Sequence, residues 1–121
     1  MALERGKLSN VVTVGGGSTV AIVTVASSKK VYVKSVMVHN TGGASGIVSA
    51  TGQVYFVPNG VSAGTTATRL FDVDVSPGET VLIEPSYPLV LDTTGDALYV
   101  GNSLSTNGAL NFIVTGDKEA W

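Results

Sequence analysis

Apolar and polar residues alternate along most of this chain with a period of two, and no stretch of helical length shows a 3.6-residue apolar period. In 69–75, Phe71, Val73 and Val75 fall on one side of an extended strand, and Asp72 and Asp74 on the other. Val81 and Ile83 follow the same rule, although Leu82 breaks it. Leu98 and Val100 alternate with Ala97 and Tyr99, and Leu110, Phe112 and Val114 with Asn111, Ile113 and Thr115. These sets predict the buried faces. A large member such as Phe71 or Phe112 contributes roughly 1.5–3 kcal/mol when buried. Strands are predicted at 10–14, 19–26, 30–39, 47–57, 69–75, 79–84, 89–92, 96–101 and 110–115. Segment 30–39 is less simple, because Val33 and Met37 share one face and Val36 and Val38 the other. Such a strand is expected to be covered on both faces, by its own core or by another subunit.

Turn chemistry separates these segments. Gly15-Gly16-Gly17-Ser18 is expected to be a hairpin loop with positive-φ positions, and Asn40-Thr41-Gly42-Gly43 follows the third strand. Ser76-Pro77-Gly78 and Thr93-Thr94-Gly95-Asp96 make tight reversals, Asn107-Gly108 precedes the last strand, and 59–68 is a long loop of small residues. The whole reads as all-β: a single antiparallel β-sandwich, jelly-roll-like, over 10–115. Short arms are expected at 1–9 and 116–121.

Composition sharpens this picture. The chain has 121 residues, 44% of them hydrophobic, with a net charge of -2, which excludes a solvated disordered coil. Its surface scales to roughly 6,000 Å² folded against about 18,000 Å² unfolded, enough burial for one core. There is no cysteine, hence no disulfide, thiolate nucleophile or cysteine-based metal site. Seven basic against nine acidic residues give no footprint for nucleic acid. The longest apolar stretch, around Val20–Ala26, is too short for a membrane-spanning helix, and Met1–Lys7 lacks the apolar core of a secretory signal. Only 13% of residues are charged and the mean hydropathy is +0.34, low charge for a free-standing monomer. Surface covered by neighbours is the expected explanation.

Candidate chemistry is sparse. His39, the only histidine, stands at a strand end without a Gly-x-Ser-x-Gly elbow anywhere in the chain, and reads as a structural or interface hydrogen-bonding residue. Asp72 and Asp74 point the same way but lack the loop of oxygen ligands that calcium demands, and read as a solvated polar face. Asp92 and Asp96 flank a turn and read as turn caps. The Gly15–Thr19 run lacks the lysine and helix of a phosphate loop. Glu79 and Glu84 sit at strand ends with no aromatic cleft implied, and Lys29, Lys30 and Lys34 read as a guard on an edge strand. No catalytic residue, cofactor site or metal site is expected. The apolar residues of the arms, Leu3, Leu8 and Trp121, are candidate interface anchors, with Trp121 equally able to fold back on its own sandwich.

The order of segments carries a resemblance. Val31-Tyr32-Val33-Lys34-Ser35-Val36-Met37-Val38-His39-Asn40-Thr41 resembles the "I-K-S-I-x-V-x-N-T" strand of small β-sandwich virion proteins of tailed bacteriophages. Val54-Tyr55-Phe56-Val57-Pro58-Asn59-Gly60 is similar to their "V-x-V-Y-L-V-P-x-G" strand and turn, and Val75-Ser76-Pro77-Gly78-Glu79-Thr80 to their "I-P-A-G-E-T" turn. Leu89-Val90-Leu91-Asp92 with Gly95-Asp96-Ala97-Leu98-Tyr99-Val100 resembles their "L-x-L-x-x-G-D-x-I-x-V" ending. The resemblance implies a non-enzymatic capsid decoration or cement protein. Such a protein is made in the host cytoplasm, sits on the virion surface, binds the major capsid protein and associates as a homotrimer. It has no nucleic-acid or membrane partner and no catalytic residues to carry over. A carbohydrate- or host-surface-binding module of a tail or fibre is the alternative, with its site on the 42–46, 59–68 or 102–107 loops.

Overall fold

The valine- and threonine-rich alternating segments form strands because β-branched side chains suit a pleated, half-buried surface. The computed structural model describes residues 3–42, 49–103 and 109–119, and these hold ten strands and no helix. They are β1 (Leu3–Lys7), β2 (Val12–Gly15), β3 (Thr19–Thr24), β4 (Val31–Asn40), β5 (Ala50–Val57), β6 (Arg69–Val75), β7 (Thr80–Ile83), β8 (Leu89–Leu91), β9 (Ala97–Asn102) and β10 (Ala109–Glu119).

Two antiparallel sheets face each other. In sheet A the long strands β10 and β4 lie side by side. Each carries two short strands end to end on its outer edge: β1 and β2 on β10, β7 and β8 on β4. Sheet B has the order β3-β9-β5-β6. The pairs β2–β10, β3–β9, β4 with β7 and β8, and β5–β6 describe one long hairpin, folded at 58–68 and then rolled up. That is a jelly roll. Inward-facing Phe112, Leu110, Leu98, Val100, Val54 and Val38 meet between the sheets with almost no exposure. The inner faces expected for β6, β7, β9 and β10 are the faces found.

Four expectations change. First, β4 is not two-faced. Its register on β10 pairs Ser35 with Thr115 but Val33 with Gly116, leaving Lys34 as the extra residue of a β-bulge. The bulge flips the parity, so Val31 and Val33 on one side of it and Val36 and Val38 on the other all enter the same core. Second, β4 is central in sheet A, so Lys34 guards no edge. Third, the Gly15–Ser18 turn is not a hairpin: it carries the chain from β2 in sheet A to β3 in sheet B, as the turns at 76–79 and 92–96 also cross between sheets. Fourth, the expected arms lie in the sandwich. Residues 3–7 pair with 115–119, and 116–118 pair in turn with 31–33.

The loop at 58–68 is a strap. Gln53, Tyr55 and Val57 point away from the core, yet Tyr55 is only 2% exposed and Val57 4%. Gly64 of the strap lies against Thr19 on β3, at the far side of that face. The Asn59 amide donates to Asp96 Oδ1 at 3.0 Å, and the Phe56 amide to the Thr68 carbonyl at 2.9 Å, fixing both ends. The strap thus covers the middle of the outer face of sheet B, over β5, while Leu70, Asp72 and Asp74 on β6 stay exposed.

Candidate interaction surface

The outer face of sheet A has no such cover among the described residues. Strand register lays its side chains out in rows across the sheet. One row is apolar: Leu82 on β7 opposes Met37 on β4, which opposes Ile113 on β10. Val11 lies just before β2, next to the paired position Val12–Phe112 at the far edge. Val11, Met37 and Leu82 are 61%, 43% and 49% exposed. The neighbouring row is polar, running Thr80, His39, Asn111 and Thr13. His39 Nδ1 and Thr80 Oγ1 are 2.9 Å apart, and Thr13 Oγ1 donates to Asn111 Oδ1 at 2.7 Å. On the other side Ser35 and Thr115 bond through their hydroxyls.

Further along, Asp117 sits under two cations. Its Oδ2 is 2.7 Å from Lys34 Nζ and its Oδ1 is 3.4 Å from Arg5 Nε. The bond from Lys34 is the main reason the Asp117 carboxyl is held below the usual aspartate range; loss of solvent opposes it, and the charges of Lys34 and then Arg5 add to the lowering. The bulge that corrects the parity of β4 also brings Lys34 to this carboxylate. The face therefore offers a charge cluster of two cations around one carboxylate at one end and an apolar band across its middle.

The residues singled out from sequence scatter. Leu3 lies on β1, more than half exposed; Leu8 packs half-buried against the core; Trp121 is outside the described residues. His39 has the Thr80 hydroxyl as its partner. Asp72 pairs with Arg69 at 3.6 Å, and Asp74 accepts from Thr51 Oγ1 at 3.0 Å. Asp96 ties the 92–96 turn to the strap, accepting from Thr93 and Asn59 amides. Glu79 caps the Ser76 amide. Among the described residues no group of His, Asp or Glu is arranged to hold a metal ion, and no helix is long and apolar enough to cross a membrane.

An open cleft of about 520 Å³ lies where β5 begins and β6 ends, lined by Ser49, Ala50, Thr51, Asp74, Val75, Ser76 and Ser103. Its polar groups are hydroxyls and one carboxylate. Of the loops named as candidate glycan sites, most of 42–46 and 102–107 lies outside the described residues.

The apolar row went unread from alternation, yet it has a sequence signal. Leu82, Met37 and Ile113 are each the middle of three successive apolar residues in a strand. The outer two members bury, so the middle one must face out. Comparison of the chain with known protein-family models and with curated protein sequences gives no match.

Proposed function

We propose that this chain is a non-enzymatic structural protein of a tailed-phage virion, of the decoration or cement kind, which binds and stabilises a shell of major capsid protein as a homo-oligomer. The observation that carries the reading is the apolar row on the outer face of sheet A. A domain that lays a strap over part of one sheet and leaves an apolar row open across the other is built to bury that row against protein. The motif order of 31–100 supplies the virion setting. A sandwich of this kind acts as a rigid plate, and a plate that binds only the assembled shell stabilises it by mass action.

Co-sedimentation with purified shells of the parent phage tests the proposal. The wild-type chain is expected to pellet with shells, and Met37→Glu together with Leu82→Glu to weaken binding about tenfold or more, since each places a charge in the apolar contact on which the assembly depends. Folded wild-type protein that stays in the supernatant sinks the reading. The polar cleft beside Asp74 favours the second reading, a glycan-binding module of a tail or fibre. Specific glycan-array hits lost in Asp74→Ala would establish it instead.

A further inference from the structure

The row that crosses sheet A is bordered by groups that are their own complements. We propose that the partner on this face is a second copy of the chain, packed sheet to sheet about a two-fold axis; this rests on the assembly reading above and names the occupant of its surface.

Three observations carry it. The first is area. Sheet A is four strands wide, and β4 is ten residues long. At about 4.8 Å between strands and about 3.4 Å per residue, the face projects roughly 600 Å² per copy. Two copies then bury about 1,200 Å² before corrugation is counted, the size at which stable interfaces begin. The second is polarity. With the axis in the interface and along the strands, each row meets itself, and the Leu82 end of one copy meets the Val11 end of the other. The polar row of Thr80, His39, Asn111 and Thr13 then faces its own kind. Hydroxyl, amide and imidazole groups can both donate and accept, so they pair across such an axis, where a row of carboxylates or lysines would repel. The third is charge. The Asp117 carboxylate on this face is held by Lys34 and Arg5, so two copies do not oppose bare anions, and the surplus positive charge lies at one end of the face, away from the apolar row. A ring of three would need a different apolar surface as its counterpart. Leu70 and Val61, exposed on the sheet B side, are single positions and form no such band.

Sedimentation velocity of the isolated full chain over a wide concentration range tests this. The expected result is a monomer–dimer equilibrium, with Met37→Glu and Leu82→Glu each raising the dissociation constant about tenfold or more and Leu70→Glu leaving it unchanged. Circular dichroism checks that the variants fold, which their half-exposed positions favour. As a readout that needs no variant, peroxide oxidation of Met37 should slow as the wild-type dimer forms. A monomer at every concentration, a three-copy mass, or a dimer indifferent to Met37→Glu overturns the pairing. If shells still bind such a monomer, the virion reading stands and only this occupant falls. If the chain pairs as described but ignores shells, the pairing stands and the virion reading falls.

Discussion

Gly116 shows how one residue sets the register of a whole sheet. A methyl group there would overlap the Tyr32 carbonyl oxygen and press on the Lys34 amide, so only glycine admits the bulge of β4. Without the bulge, either Val31 and Val33 or Val36 and Val38 must face solvent. Gly116→Ala is therefore expected to cost about 3 kcal/mol or more, measurable by urea denaturation, well beyond an ordinary exposed substitution. Two buried asparagines act at the same scale. Asn40 donates from sheet A to the Val75 carbonyl at 2.8 Å, and Asn102 from sheet B to the Val14 carbonyl at 3.3 Å, joining the sheets near their ends. Asp117 links charge to pH. Its carboxyl titrates below the usual aspartate range in the folded chain, so the unfolded chain takes up the proton first as pH falls. The contribution is full above about pH 4 and is lost as pH drops through the lower folded value. Asp117→Asn is expected to flatten the acid limb of a stability–pH curve below pH 4. A curve identical to wild type would contradict the ion-pair account.

The strap is the element on which the difference between the two sheets depends. It is anchored by Asp96, whose carboxylate accepts from Asn59 and Thr93, and by Gly95, which packs so closely on Asn59 that a side chain there would collide with it. Asp96→Ala leaves two amide donors without their acceptor and is expected to cost about 1–3 kcal/mol. Hydrogen exchange should show the loss at 58–68 and at Tyr55, with sheet A unchanged. At this scale the sequence is legible where a strand is regular. The inner faces of β6, β9 and β10 follow from alternation alone, because burial on one side forces a period of two. It is illegible where backbone geometry intervenes. A bulge leaves no compositional mark, so β4 looks apolar on both faces although only Met37 among its apolar residues points outward and lies strongly exposed. Nor does a turn reveal whether it joins neighbours in one sheet or crosses to the other. The strap reads as a plain loop because its covering is done by small residues and backbone. β1 reads as an arm because all five of its residues are exposed, and main-chain bonds to β10 give it its place.

Across the whole molecule, the jelly roll accounts for most of the high hydropathy through a valine-rich core shared by both sheets. Part of the rest lies on the outside, and Val11, Met37 and Leu82 are the members of it that share the outer face of sheet A with Ile113. Low charge and an open apolar face are one feature seen at two scales: a surface with few ionic groups is easier to strip of water against a partner. The central claim is that this face, and not the strap side or the strand ends, is the assembly surface. Hydroxyl-radical footprinting of the dilute free chain against the shell-bound chain measures it residue by residue. The account predicts strong protection of Met37, Leu82 and Ile113 on assembly, with Leu70 and Val61 unchanged. Protection of Leu70 and Val61 with Met37 and Leu82 as reactive as in the free chain would contradict it.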